Sequence, residues 1–186
     1  MSTQLDLLAP RTPVVASFVP SATAVVSPCE RYRYSLTRAW APGPRVLFVL
    51  LNPSSADATT DDPTLRRCVG YARRWCDGSV EIANLFALRS PDPALVEVGL
   101  RTGVEVVGPA TDAHLVAAVG RADRVVAGWG SFPWAAPRAA EVTRIVTATH
   151  DLLSLRTNAD GSPGHPLYLR ICLVPHLYRA RVLPHE

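Results

Sequence analysis

The feature that most constrains the fold is an unbroken apolar run with the sequence RVLFVLL at residues 45–51. Its β-branched residues and its short length predict a β-strand that is covered on both faces. Three further apolar runs predict strands of the same kind. They have the sequences VEIANLF (80–86), DRVVAGWG (123–130) and HDLLSL (150–155). Strands of this kind need a layer of structure on each side of their sheet.

The segments between these runs have the pattern of amphipathic helices. Residues 63–76 place apolar side chains on one stripe and arginines on the other, and Pro63 suits the first position of a helix. A short helix follows SPDP, and residues 108–122 and 135–149 predict two more. Strands that alternate with helices predict an α/β fold, a three-layer α/β/α sandwich with a mainly parallel central sheet.

Composition divides the chain into one domain and two flanking segments. Residues 1–28 are rich in Pro, Ser, Ala and Val, and they predict an extended N-terminal arm with a short strand at Val14–Phe18. Residues 29–174 predict a single α/β domain. Residues 175–186 predict a C-terminal tail.

A strand is also predicted just before the first buried run, in the segment ERYRYSLTRAW. Its residues alternate with a period of two, with Tyr32, Tyr34 and Leu36 on one face. Arginine and serine residues occupy the other face. This pattern is typical of a half-buried strand.

Charge and hydropathy limit the classes of partner. The net charge of +3 permits an anionic partner without requiring one. All 19 basic residues are arginine, which fits either a coding bias or guanidinium recognition of phosphate, and no lysine is present to form a Schiff base. No apolar run reaches the roughly 18 residues that span a bilayer. The N-terminal residues make a poor signal peptide, so we expect a cytoplasmic protein without a membrane partner.

Polar residues gather after each predicted strand. Because the carboxyl ends of parallel strands meet at one edge of a sheet, these residues predict a ligand site there. They include Asn52-Pro53-Ser54 and Asp57 after the first strand, Asn84 and Arg89 after the second, Trp129 after the third, and Arg156, Asn158 and His165 after the fourth.

Structural interpretations of these residues remain open. Asn52-Pro53-Ser54 also suits a turn, and Asp62 suits a helix cap. Arg66 and Arg67 also suit a solvated helix face, and Trp129 also suits a core position.

Several motifs together resemble one bacterial family, the domain of unknown function 1643 family. They are LNPSSAD, DDPTLRR, NLFALRSPDP, the WG after a strand, and GSPGHPLYL. The resemblance spans roughly Cys29 to Leu169. It implies a bacterial protein but no established activity.

The order of these motifs is also similar to that of the uracil-DNA glycosylase superfamily. Asn52-Pro53-Ser54 resembles an Asn-Pro-Gly motif in which the Asn positions a hydrolytic water. His165-Pro166-Leu167 resembles a His-Pro-Ser motif in which the His stabilises the leaving base anion. The resemblance implies a uracil-DNA glycosylase-like fold and hydrolysis of an N-glycosidic bond. Ser54 and Leu167 differ from the usual third residue of each motif.

These arguments lead to one hypothesis and two alternatives. The hypothesis is a glycosylase-like enzyme that acts on a nucleobase, nucleotide or nucleic acid, without a metal or cofactor. The first alternative is a module that binds a nucleotide or nucleic acid without turnover, and the second is a metal-dependent hydrolase that uses Asp57, Asp61 and Asp62 with His165. The oligomeric state is not predicted. The hypothesis assigns catalysis to Asn52, Asp61 and His165, and substrate binding to Pro53, Ser54, Asp57, Arg66, Arg67, Asn84, Arg89 and Trp129.

Overall fold

The computed structural model describes residues 18–179, which form a seven-stranded sheet and four helices. The strands are Ser21–Val26 (β1), Arg33–Ala39 (β2), Arg45–Leu50 (β3), Ser79–Asn84 (β4), Arg124–Ala127 (β5), Leu152–Ser154 (β6) and His176–Leu177 (β7). The helices are Pro63–Arg74 (α1), Pro93–Arg101 (α2), Thr111–Val119 (α3) and Ala136–Thr147 (α4). The predicted alternation of strands and helices is confirmed.

The sheet has the strand order β1-β2-β4-β3-β5-β6-β7. Strands β4, β3, β5 and β6 pair in parallel, whereas β1, β2 and β7 join through antiparallel pairs. The mostly parallel central sheet that the sequence predicted is therefore confirmed.

Helices cover the central strands on both faces. In β3, Leu47 and Val49 pack in one apolar cluster with residues of α2, α3 and α4. Val46, Phe48 and Leu50 pack in a second cluster with residues of α1. Both sets are buried, which explains why the run RVLFVLL shows no polar face.

The strand β2 does not keep the single apolar face that its alternating sequence predicted. Its register against β1 shifts, so that Tyr34 is an extra residue of a β-bulge. Tyr34 stacks on His114 of α3, with ring centroids 4.8 Å apart, whereas Leu36 packs in the α1 cluster. Arg33 is only 4% exposed. The predicted polar face of this strand is wrong at Arg33, because the bulge changes the direction of the side chains.

The two flanking segments contribute to the sheet where they are described. Residues 21–26 form β1 within the predicted arm, and residues 176–177 form β7 within the predicted tail. The predicted strand at Val14–Phe18 lies outside the described residues apart from Phe18, which is not in a strand. Of the helices in the described part of the chain, none has the length and apolar content to span a membrane.

Candidate functional site

A cavity of about 500 Å³ lies beyond the carboxyl ends of the central strands. The loops after β3 and β5 border it and lead to helices on opposite faces of the sheet, α1 and α4. This is the position at which open α/β sheets bind ligands. The polar side chains that line the cavity belong to Arg33, Asn52, Ser54, Ser55, Asp62, Thr64, Ser90, Ser131, Arg156, Asn158, His165 and Tyr168.

Asn52 is held at the cavity wall by two backbone carbonyls. Its Nδ2 donates to the carbonyl oxygens of Pro53 at 3.1 Å and Ser90 at 2.8 Å. Because both partners are acceptors, the amide orientation is determined, and Oδ1 is left as an acceptor. The Ser90 N–H also donates to the Pro53 carbonyl at 2.9 Å, so the loops after β3 and β4 hold each other in place.

His165 lies on the same cavity, at the start of a 3₁₀ turn at Pro166–Tyr168. The backbone N–H of Leu167 donates to its Nδ1 at 3.3 Å. A neutral imidazole that accepts at Nδ1 carries its proton on Nε2, so Nε2 is a donor. Burial lowers the pKa of His165, while the charge of Asp62 opposes that shift. The neutral form is therefore favoured at neutral pH.

Close packing at the end of β5 lets the 3₁₀ turn approach the sheet. A Cβ atom on Gly128 would lie 2.8 Å from Cδ of Pro166 and 3.1 Å from a side-chain carbon of Leu50. Gly130 has a φ of +81°, a backbone conformation that favours glycine. The missing side chain of Gly128 and the backbone conformation of Gly130 therefore help to place the turn that carries His165.

Asp62 both caps α1 and borders the cavity. Its Oδ1 accepts from the Leu65 N–H at 2.7 Å, and Pro63 occupies the first turn of the helix. The cap fixes the carboxylate at the cavity rim. The sequence analysis gave this residue a capping role and a place in the alternative metal site, and did not select it for catalysis or substrate binding.

The other two acids of this loop lie outside the cavity wall. Asp57 accepts from the backbone N–H groups of Thr59 and Thr60, both at 2.8 Å, and these bonds lower its pKa. Asp61 forms an ion pair with Arg38 at 2.8 Å. Across residues 18–179, no group of three or more His, Cys, Asp or Glu side chains is positioned to hold a metal ion.

Several residues that the sequence assigned to substrate binding have other surroundings. Pro53 is buried behind the cavity wall, and Arg66 donates to the backbone carbonyl of Asp61 on the surface of α1. Arg89 is exposed and donates to the Glu30 carbonyl at 3.2 Å. Arg67 is half-buried and does not line the cavity.

Trp129 and Asn84 are buried and also lie outside the cavity wall. Trp129 is 4% exposed, belongs to the cluster on the α4 side and meets Tyr178 edge to face. This packing leaves it no face for a substrate base. Asn84 is 2% exposed, and neither atom of its amide has a hydrogen-bond partner among the described residues. Its position in β4, two residues after Ile82, puts it on the sheet face that the cavity occupies.

The loop after β6 forms a polar rim that is tied to the loop after β5. Asp160 accepts from the hydroxyls of Ser131 and Ser162, and these hydrogen bonds lower its pKa to about 2. Asn158 donates to the Ser162 hydroxyl at 3.0 Å, which braces the same loop. The rim is therefore rigid on the side where His165 lies.

Arg33 and two aromatic residues also line the cavity, and the sequence analysis did not select them. Nη1 of Arg33 donates to the Ala56 carbonyl at 2.6 Å. Phe132 is half-buried and Tyr168 is 80% exposed. An arginine next to a tyrosine in a predicted strand was the only sequence signal for Arg33.

A comparison with protein families places most of the chain in one family. The model of a family described as "Protein of unknown function (DUF1643)" matches residues 33–167, well over half of the chain. No curated protein and no solved structure matches the chain.

Proposed function

We propose that this chain, which belongs to the DUF1643 family, is a glycosylase-like hydrolase with a uracil-DNA glycosylase-like fold. Its reaction is the hydrolysis of an N-glycosidic bond in a nucleoside, a nucleotide or a nucleic acid. One observation carries the proposal: Asn52 and His165, from loops after different strands, border the same cavity. These are the two residues whose motifs resemble the glycosylase motifs in order.

His165 stabilises the leaving base. When the bond between the sugar and the base breaks, its electron pair stays on the base and makes it an anion. The Nε2–H of His165 donates to an oxygen of this anion, in a cavity where burial strengthens the interaction. The bond from Leu167 to Nδ1 keeps the donor on the correct nitrogen.

Asn52 and Asp62 position and activate the attacking water. Oδ1 of Asn52 accepts a hydrogen bond from the water, since its Nδ2 is occupied by two carbonyls. The water oxygen bonds to the anomeric carbon, and the carboxylate of Asp62 takes its proton. Asp62 then gives this proton, directly or through solvent, to the departing base anion, so the products are a free base and a sugar with a hydroxyl and Asp62 is again ionised. Asp62 takes this role because it lines the cavity, whereas Asp57 and Asp61 lie outside the cavity wall.

The cavity suits a nucleotide-sized ligand. A volume of about 500 Å³ lies within the range of roughly 300–1,000 Å³ that is typical of small-molecule sites. Phe132 on the wall offers an aromatic surface for a base, a contact worth about 1–3 kcal/mol.

Release of a free base tests the proposal. The purified protein is incubated with nucleosides, nucleoside monophosphates and a single-stranded oligodeoxynucleotide that contains uracil, and free bases are measured by liquid chromatography. We expect base release from at least one substrate, and a loss of about 10²–10³-fold in His165→Ala and in Asn52→Ala. His150→Ala serves as the control and should keep full activity, because His150 lies two residues before β6, at the end of the sheet opposite the cavity.

Two outcomes would contradict the proposal in different ways. Thermal stabilisation by a nucleotide without any released base would support a binding module. Activity that disappears in excess chelator and returns with a divalent cation would support the metal-dependent hydrolase.

A further inference from the structure

Arg33 is a buried arginine without an acidic partner. Its side chain lies on the cavity wall, and the residue is 4% exposed. Within the described residues, no carboxylate oxygen lies within 4.0 Å of its guanidinium group. Buried charges in proteins are normally paired, because an unpaired charge loses its hydration without compensation.

The comparison with Arg138 shows how this fold compensates a buried arginine elsewhere. Arg138 is 8% exposed, and its guanidinium group contacts the carboxylates of Asp112 and Glu141. Its Nε also donates to the Leu85 carbonyl at 3.0 Å. Where Arg138 has these three partners, Arg33 donates to a single one among the described residues, the Ala56 carbonyl.

The donors left over on Arg33 form one edge of the guanidinium group. Nη1 donates to the Ala56 carbonyl, whereas Nε is buried and has no hydrogen-bond partner among residues 18–179. Nε–H and the adjacent Nη2–H point in parallel from one side of the planar group. This fork matches two oxygens of a phosphate or a carboxylate.

The side chain of Arg33 stays protonated in these surroundings, and its positive charge is not neutralised by a direct ion pair within the described residues. Burial lowers its pKa to about 10, and Asp62 acts in the opposite direction, so the group stays protonated at neutral pH. Asp62 also repels an incoming anion, although its Oδ1 already accepts the Leu65 N–H.

We propose that Arg33 is the anion-binding residue of this cavity and that it holds an oxyanion, phosphoryl or carboxylate, of the ligand. The inference rests on the proposed function only in that the same cavity takes the substrate. Combined with that function, it narrows the substrate class from free nucleosides to compounds that carry an anionic group, such as nucleoside monophosphates.

Anion binding by the whole chain tests the inference. Thermal unfolding and titration calorimetry are run with sodium phosphate and with sodium acetate, each compared with sodium chloride at equal ionic strength. We expect saturable binding of phosphate or acetate by the wild-type protein, and the anion that binds identifies the group. Arg33→Met should weaken this binding about tenfold or more, and Arg33→Lys should retain part of it.

Arg38→Met is the matched control, because Arg38 lies in the same strand and pairs with Asp61 outside the cavity wall. It should bind the anion as the wild-type protein does.

A second variant tests the inference even where Arg33→Met does not fold. Asp62→Asn keeps a capping side chain and removes the repelling charge, so it should bind the anion several-fold more tightly.

Absence of saturable binding in the wild-type protein, or equal binding in Arg33→Met, would overturn the inference. These outcomes are separate from the test of the proposed function. Base release without saturable anion binding would support the proposed hydrolase and contradict the anion-binding role of Arg33. Anion binding without base release would support the role of Arg33 and contradict the proposed hydrolase.

Discussion

At the scale of single residues, the acids of the loop after β3 show how position decides role. Asp57 accepts from backbone N–H groups of its own loop, and Asp61 forms an ion pair with Arg38. Asp62 caps α1 and is the one of the three that lines the cavity. The sequence analysis assigned catalysis to Asp61, whereas the acid that lines the cavity is Asp62, because spacing does not reveal which carboxylate turns inward.

Asp77 is a buried acid at the opposite edge of the sheet from the cavity. It is 3% exposed and lies 3.3 Å from Nη2 of Arg124. Burial raises its pKa to about 6, against the attraction of Arg124. Since 3.8 is the usual value, the folded protein binds this proton more tightly than the unfolded chain does.

Replacement of Asp77 by Asn should therefore change the pH dependence of stability. Below about pH 4 the acid is protonated in both states and contributes no pH dependence. As the pH rises to about 6, the unfolded chain ionises first and the wild-type protein loses stability, and the loss is complete above that pH. We expect the free energy of unfolding of Asp77→Asn, relative to the wild type, to increase from pH 4 to pH 7 in urea titrations. A relative stability that falls or stays flat over this range would contradict the assignment.

At the scale of elements, α1 shows that a helix start can also build a site. Pro63 in its first turn and Asp62 as its cap determine where the helix begins. The same cap directs a carboxylate to the cavity rim. Local stability and the geometry of the site therefore depend on one side chain.

Two substitutions separate these contributions at Asp62. Asp62→Ala removes the bond to the Leu65 N–H and should cost about 1 kcal/mol of unfolding free energy, measured by chemical denaturation. Asp62→Asn should keep most of this stability, because asparagine is an equally good cap. If the proposed water activation is correct, both variants lose base release. Equal destabilisation by the two substitutions would argue against the capping hydrogen bond as the source of the lost stability.

The strand β2 shows that an element can be predicted from the sequence while the burial of its side chains is not. Its period of two predicted a strand, which is confirmed, but the bulge at Tyr34 changes which residues are buried. Arg33 reaches the cavity for this reason. A bulge leaves little trace in a single sequence, because one extra residue does not change the local composition.

At the scale of the whole molecule, the cavity exists because distant segments meet at the end of β5. Gly128 contacts Pro166, so the turn that carries His165 packs directly on the sheet. This packing sets the distance between the turn that carries His165 and the loop after β3.

Substitution of Gly128 by Ala should disturb this arrangement. The added Cβ would lie 2.8 Å from Pro166, so the turn or the strand must shift, at a cost of about 1–3 kcal/mol in unfolding free energy. We also expect the NMR signals of the His165 ring to move, because the turn that carries it is displaced. Gly120→Ala is the control: its Cβ would meet only ordinary contacts, at 3.6 Å and 3.8 Å, and stability should change little. Wild-type stability in Gly128→Ala would contradict the role of this contact.

The sequence by itself determined the class of fold, the order of the central strands and helices, the helix start at Pro63, and the edge of the sheet where polar residues gather, but not the outer strands β1 and β7. These features depend on local patterns of hydrophobicity and on turn and capping residues, which act over a few positions. It also selected Asn52, Ser54 and His165, which do line the cavity.

Only the tertiary structure decided which polar residues share that cavity. Asp62 and Arg33 line it, whereas Asp61, Arg89 and Trp129 lie outside its wall. The physical reason is that the direction of a side chain depends on the β-bulge, on the packing of a turn against glycine, and on hydrogen bonds between distant loops. The turn packing and the loop hydrogen bonds join segments that are far apart in the chain, and the bulge adds one residue without changing the local composition, so a local pattern carries no information about them.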